Sequence, residues 1–216
     1  MSPPSATRED VRTRAGALVS AIRDLLDKPG DRAQVRRAVG MDPADPRCWD
    51  AYAHVEKHLP AKRDEATERA FLAVAALIAD QPPTARANDL GRGPGDVDAT
   101  TVPGEPGSPF TGNLGVTLAH AVERKAVGDK AAKERLHLLC RQNLHGAHRQ
   151  LPRLIAYLRN QNLRVDWVQL ACDLADWQRD HDRVVKNWLQ GYHRTRHLLE
   201  AQRKKNAQTD RTDETP

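Results

Sequence analysis

Large apolar residues in this chain recur at steps of three and four, and no alternating run of useful length appears. A helix turns once in about 3.6 residues and a strand repeats every two, so this spacing restricts the chain to helices. Val11, Ala15, Leu18, Ile22 and Leu25 step by four, three, four and three and lay one stripe along a first helix. Trp167, Leu170, Leu174 and Trp177 do the same near the other end. The expected fold class is all-α.

Breaks between the stripes give the order of elements. Pro29-Gly30 is expected to end the first helix, since proline cannot donate to the helical ladder. Asp31 then caps a short helix over Arg32–Val39, with Gly40 as its stop. A third helix carries Trp49, Tyr52 and Val55 and closes at Pro60. The segment from Asp64 to Asp80 is apolar nearly all round, which marks the centre of a bundle. Residues 81–112 hold six prolines and six glycines among 32 positions, with too few large apolar groups to offset their ordering entropy. Helices resume from Leu114, over Lys130–Gln142, after Asn143 and after Asp166, and a last one runs through Tyr192. Pro152 lies inside the helix capped by Asn143, where a kink or broken turn is expected. The organisation reads as two helical bundles, 5–80 and a basic 113–200. A mobile Pro/Gly-rich insert, 81–112, joins them, and 201–216 is a disordered tail.

Composition removes several classes of function. No run of about 18 apolar residues is present, so no membrane span is expected. The first ten residues lack the apolar core of a secretory signal, and Cys48, Cys140 and Cys172 have no paired spacing. The cysteines read as small buried hydrophobes in a reducing cytoplasm. The net charge of +5 is unevenly placed: residues 113–164 carry ten basic against three acidic side chains, with His120, His137, His145 and His148 among them. Such asymmetry suits a surface facing a polyanion, although exposed helix faces that favour Arg and Lys would produce it too.

Candidate catalytic groups find little support. His54 and His58 share a helix face at i and i+4, but Glu56 is one position from where a zinc peptidase places its base, and no third ligand follows. His145 and His148 lack a nearby carboxylate or cysteine. Asp173, Asp176, Asp180 and Asp182 could gather a magnesium ion, and neighbouring Lys and Arg explain them equally as a solvated face. No phosphate loop follows a strand and no nucleophile elbow occurs, so neither an enzyme nor a cofactor is expected. Trp167, Trp177, Trp188 and Tyr192 fall on apolar stripes and read as core, not as base-stacking platforms. What remains is Arg36, Arg37, Arg135, Arg141, Arg149 and Arg153. Guanidinium forks bind phosphate oxygens whatever the base, so these point to a backbone clamp with little sequence reading.

The order of motifs resembles the CasB family, the small subunit of type I-E CRISPR Cascade complexes. Val35-Arg36-Arg37-Ala38-Val39-Gly40 is similar to that family's L-R-R-A-L-G, and Asn113-Leu114-Gly115-Val116-Thr117-Leu118 to its S-L-G-x-x-L. Glu134-Arg135 through Arg141 resembles its arginine-studded helix, and Leu151-Pro152-Arg153-Leu154-Ile155 its L-R-R-L-V. Val165-Asp166-Trp167 through Trp177, followed by Trp188 and Tyr192, resembles the most specific block. Pro152 stands where the family has arginine, and Gln142-Asn143 where it has Ala-Asp. The resemblance covers about residues 30–195. It implies two stacked copies within the complex, no catalytic activity and no cofactor. It further implies a basic surface that steadies the guide RNA–target DNA hybrid and the displaced strand against the other Cascade subunits. On matching positions it assigns phosphate contacts to the six arginines, and segment 166–182 is a candidate contact with the neighbouring copy. Two other classes stay open: a free-standing helix-turn-helix regulator of DNA, and a metal-dependent hydrolase using His54 and His58.

Overall fold

The structure, a computed structural model, describes residues 6–82 and 112–213. Among these, nine α-helices and two single 3-10 turns form, without strands. They are α1 Arg8–Leu25, α2 Pro29–Arg36, α3 Trp49–Val55, α4 Glu65–Ala79, α5 Leu114–Glu123, α6 Asp129–Cys140, α7 Leu144–Asn160, α8 Trp167–Ala175 and α9 His181–Asp213. The all-α expectation holds. The expected mobile insert falls almost wholly on residues 83–111, which lie outside the described residues.

Side-chain caps start several helices. The carboxylate or amide oxygens of Asp64, Asn143 and Asp166 each accept the backbone N–H three residues on, at 2.8 Å. Each satisfies a donor that a helix start leaves open. Three local expectations need correction. Pro29-Gly30 begins α2 instead of closing α1, and Asp31 is not its cap; proline suits a first turn because its missing N–H would be unpaired there anyway. Pro152 does not break α7, which runs unbroken from Leu144 to Asn160. The polar segment from 201 continues α9 as far as Asp213.

The packing does not follow sequence order. α4 buries twelve of its fifteen residues and touches α1, α2, α3, α7 and α8. α8 comes from the second half of the chain, yet packs on α1 and α4 of the first, while α9 lies along α5. One continuous core runs from Val11 to Tyr192. Asp173 on α8 is 3% exposed and accepts the indole N–H of Trp188 on α9 at 2.6 Å and the Gln169 amide at 2.8 Å. Asp176, also buried, receives Arg8 of α1 at 3.0 Å together with Arg179 and Arg183. Asp173 and Asp176 are therefore engaged within the chain, whereas Asp182 faces solvent. Cys48 and Cys140 are buried and Cys172 is half-buried.

α5 and α9 meet at backbone distance. A Cβ on Gly115 would lie 1.9 Å from the Trp188 carbonyl oxygen, a contact no side chain can make. Beside it, Asn113 caps α5 through Oδ1 and donates from Nδ2 to the Asn187 carbonyl at 2.9 Å. Gly115→Ala is expected to destabilise the fold by about 3 kcal/mol or more through forced separation of the helices. Gly16→Ala on α1, where an added Cβ meets nothing within 4 Å, should instead stabilise by about 0.5–1 kcal/mol. Urea unfolding of both variants checks the contrast.

Burial pushes the Asp173 carboxyl up to about 6, against the pull of its hydrogen bonds from Trp188 and Gln169. An unfolded chain releases that proton near pH 4. Between about 4 and about 6 the folded state binds it more tightly, so the Asp173 contribution to stability falls as pH rises through that window. His148 works oppositely: burial, then Arg69, hold it down to about 3, so charging it costs stability as pH falls below the ordinary imidazole range. Subtracting the Asp173→Asn stability curve from that of wild type isolates the carboxyl. The difference should decline between pH 4 and 6; a flat difference would mean an ordinary carboxylate.

Candidate nucleic-acid interface

α6 and α7 are joined by only Arg141, Gln142 and Asn143, so they pack as neighbours. Leu136, Leu139 and Cys140 of α6 turn inward, as do Leu144, Leu151, Ile155 and Leu158 of α7. The same helical period turns Arg135 and Leu138 of α6 outward. It also aligns Arg149, Arg153 and Tyr157 along α7 at four-residue steps. These groups enclose an open groove of about 780 Å³ with an apolar floor that includes Leu138, Leu139 and Leu154.

The groove is ordered by one stacked pair. The Arg135 guanidinium carbon sits 4.6 Å from the centre of the Tyr157 ring, and the Tyr157 hydroxyl donates to the Ala126 carbonyl at 2.8 Å. Tyr157 is thereby anchored below and presents its face to a cation, an arrangement worth about 0.5–1 kcal/mol at an exposed site. Arg135, Arg149 and Arg153 are exposed, and none makes an ion pair among the described residues. Three outward guanidinium groups, an aromatic ring and apolar side chains in one groove can hold phosphate oxygens while covering sugar or base surface.

The other predicted arginines lie elsewhere. Arg141, at the end of α6, opens on a second groove with Glu65, His145 and His181. Arg37 is paired with Asp50 at 3.2 Å, and Arg36 is exposed on α2. Their helix ends near α7: Gly40 has φ +71°, and a Cβ placed on it would be 3.4 Å from the Pro152 ring. Not every cation of the basic segment is available. Arg159, whose side chain is 8% exposed, is paired with Asp80 at 3.2 Å, and Lys133 with Asp129 at 2.7 Å.

Three features escaped the sequence reading. Tyr157 and Leu138 belong to the groove, and the four-residue register of Tyr157 with Arg149 and Arg153 could have found the first. Trp49, beside the Arg37–Asp50 pair, is 66% exposed. A buried cation also went unseen: Arg69 of α4 reaches Asp42 at 2.7 Å and lies within hydrogen-bond distance of the His145 ring of α7, at 3.3 Å from Nε2. The Ala44 backbone N–H, with help from Arg69, holds the Asp42 carboxyl below its ordinary range.

The histidine pair does not form a site. His54 is hydrogen-bonded to Gln34 at 2.9 Å, and burial lowers the His58 pKa within a separate turn. Among the described residues, no three His, Cys, Asp or Glu side chains are grouped to hold a metal ion, and no helix is long and apolar enough to cross a membrane.

The family described as CRISPR-associated protein Cse2 matches residues 31–193. No curated protein matches this chain. Among solved structures, a chain of a "CRISPR RNA-guided surveillance complex" is 39% identical with a TM-score of 0.74, covering 89% of this chain and 98% of that one. A chain of a "CRISPR RNA-guided surveillance complex, pre-nicking" is 40% identical with the same TM-score and coverage. CasB of M. ruber, at 19% identity and a TM-score of 0.65 over 87% of this chain and 97% of its own, shares the fold.

Proposed function

Since the chain belongs to the CRISPR-associated Cse2 family, we propose that it is a non-catalytic small subunit of a Cascade surveillance ribonucleoprotein and acts in the cytoplasm. In that setting it grips nucleic-acid backbone without reading sequence. It thereby stabilises the guide RNA–target DNA hybrid and the displaced strand, with other Cascade subunits and a second copy of itself as neighbours. The observation that carries this reading is the convergence of Arg135, Arg149 and Arg153 on one groove beside Tyr157. Arg36, Arg37 and Arg141 are assigned supporting phosphate contacts outside the groove.

The physical logic is a near balance. Replacing a DNA duplex by an RNA–DNA hybrid changes the energy little, so contacts that ignore sequence can tip the exchange. Bidentate guanidinium contacts to phosphate supply that kind of energy and leave base pairing to specify the target. A helix-turn-helix regulator would instead need base-edge contacts that discriminate among duplexes.

The test uses the assembled complex. Arg149→Glu with Arg153→Glu should shorten the lifetime of the opened target at least tenfold, while the thermal midpoint of the isolated chain stays within a degree or two. Loss should be equal on unrelated target sequences, and each lost phosphate contact should reduce the log–log salt slope by about 0.7–0.9. Unchanged target retention in a complex of full composition would refute the groove as a phosphate clamp.

A further inference from the structure

Four side chains link α1 to α9 through α8. Arg12 of α1 donates to the Gln169 amide oxygen. The Gln169 amide nitrogen donates to Asp173 Oδ1 at 2.8 Å, and the Trp188 indole of α9 donates to Asp173 Oδ2 at 2.6 Å. Every donor in this row points toward the carboxylate. Arg12 is exposed, Gln169 half-buried and Asp173 buried, so the row leads from solvent into the core. Beside it, α1, α8 and α9 leave a cavity of about 150 Å³.

Only one member of the row can reverse. Guanidinium and indole groups donate and never accept, whereas a carboxamide donates from one end and accepts at the other. A proton on Asp173 Oδ2 would face the indole N–H, donor against donor. A proton on Oδ1 is accommodated when the Gln169 amide turns over, so that its oxygen accepts from Asp173. The amide nitrogen then faces Arg12, again donor against donor, and Arg12 loses its hold on α8. Arg8 is held separately, by Asp176 and Asp180, so the change reaches one contact of α1 and not the other. The charges around Asp173 come from three helices: Asp166 and Asp176 of α8, Arg183 of α9, and Arg8, Glu9 and Arg12 of α1. Cys172 stays a thiol because burial pushes it up to about 11. Burial sets the Asp173 carboxyl at about 6, so its proton exchanges under mild conditions.

We propose that Gln169 relays the protonation of buried Asp173 to the surface, as a switch that holds Arg12 of α1 on α8 when Asp173 is ionised and frees it when Asp173 is protonated. The relay acts at the joint between the two halves of the chain and does not depend on what the α6–α7 groove holds. The test is urea unfolding of the full chain near pH 8 and near pH 5, with and without Arg12→Met. The drop in urea midpoint caused by Arg12→Met should be about threefold larger or more near pH 8, where Asp173 is ionised. Asp173→Asn copies the protonated acid, since its carbonyl accepts from the indole and its NH2 donates toward Gln169. Gln169→Met removes the relay and leaves the Arg12 charge in place. In either background the cost of Arg12→Met should lose most of its pH dependence. Asp166, whose carboxyl Arg12 also favours in its charged form, keeps its share in both. An equal cost at the two pH values in the otherwise wild-type chain overturns the switch. A pH dependence that survives Gln169→Met undiminished is charge acting across space, and overturns the relay.

Discussion

Helices can approach only as closely as the atoms between them allow, and at Gly115 nothing stands between α5 and the backbone of α9. That contact sets the rest of the second half. With α9 drawn against α5, the Trp188 indole reaches the buried Asp173 of α8. The Tyr192 hydroxyl reaches Asp129 at the start of α6 at 2.8 Å. α8 is in turn held on α1 and α4. The α6–α7 pair that carries the groove is thus positioned from both ends: by α9 at the start of α6, and by Arg69 and Arg159 along α7.

Much of the helical order was legible because burial imposes a period that few other structures share. The stripes of α1 and α8, the apolar α4 and the Asn143 and Asp166 caps all follow from residue spacing. The failures have physical causes as well. Pro29 was read as a stop because the same missing donor that ends a helix also suits its first turn. Pro152 was expected to break α7, yet the helix needs only to forgo one ladder bond, and the proline ring packs toward Gly40. The long reach of α9 was hidden because its outer turns bury nothing and so show no apolar period. Placement of α8 against the first half could not be read from order at all, since periodicity reports which face is buried but not against what.

The arginines divide by environment in a way composition cannot foresee. Arg69 and Arg159 have side chains only 5% and 8% exposed and face carboxylates across helix contacts. Removing one partner of such a pair would leave a buried charge alone, which is far more costly than losing an exposed pair. Arg135, Arg149 and Arg153 have the opposite surroundings: water, an aromatic ring and no opposing carboxylate. The counted excess of cations in residues 113–164 therefore mixes fold-supporting charge with exposed charge, and only geometry separates them. Within that remainder, Tyr157 lies off the apolar stripe of α7 and joins the groove through its four-residue register with Arg149 and Arg153.

α9 is a single helix of 33 residues, about 50 Å long at 1.5 Å per residue. A compact chain of this length has a radius of gyration of about 17 Å. From Glu200 onward its described side chains are exposed, with Arg203 still tied to Glu123 of α5 at 2.9 Å, so the helix extends past the core as a spar braced near its outer turns. Rotation about axes across the spar meets more viscous drag than rotation along it. The molecule therefore tumbles anisotropically in free solution, and the region near Lys204 sweeps a wider arc than any part of the core.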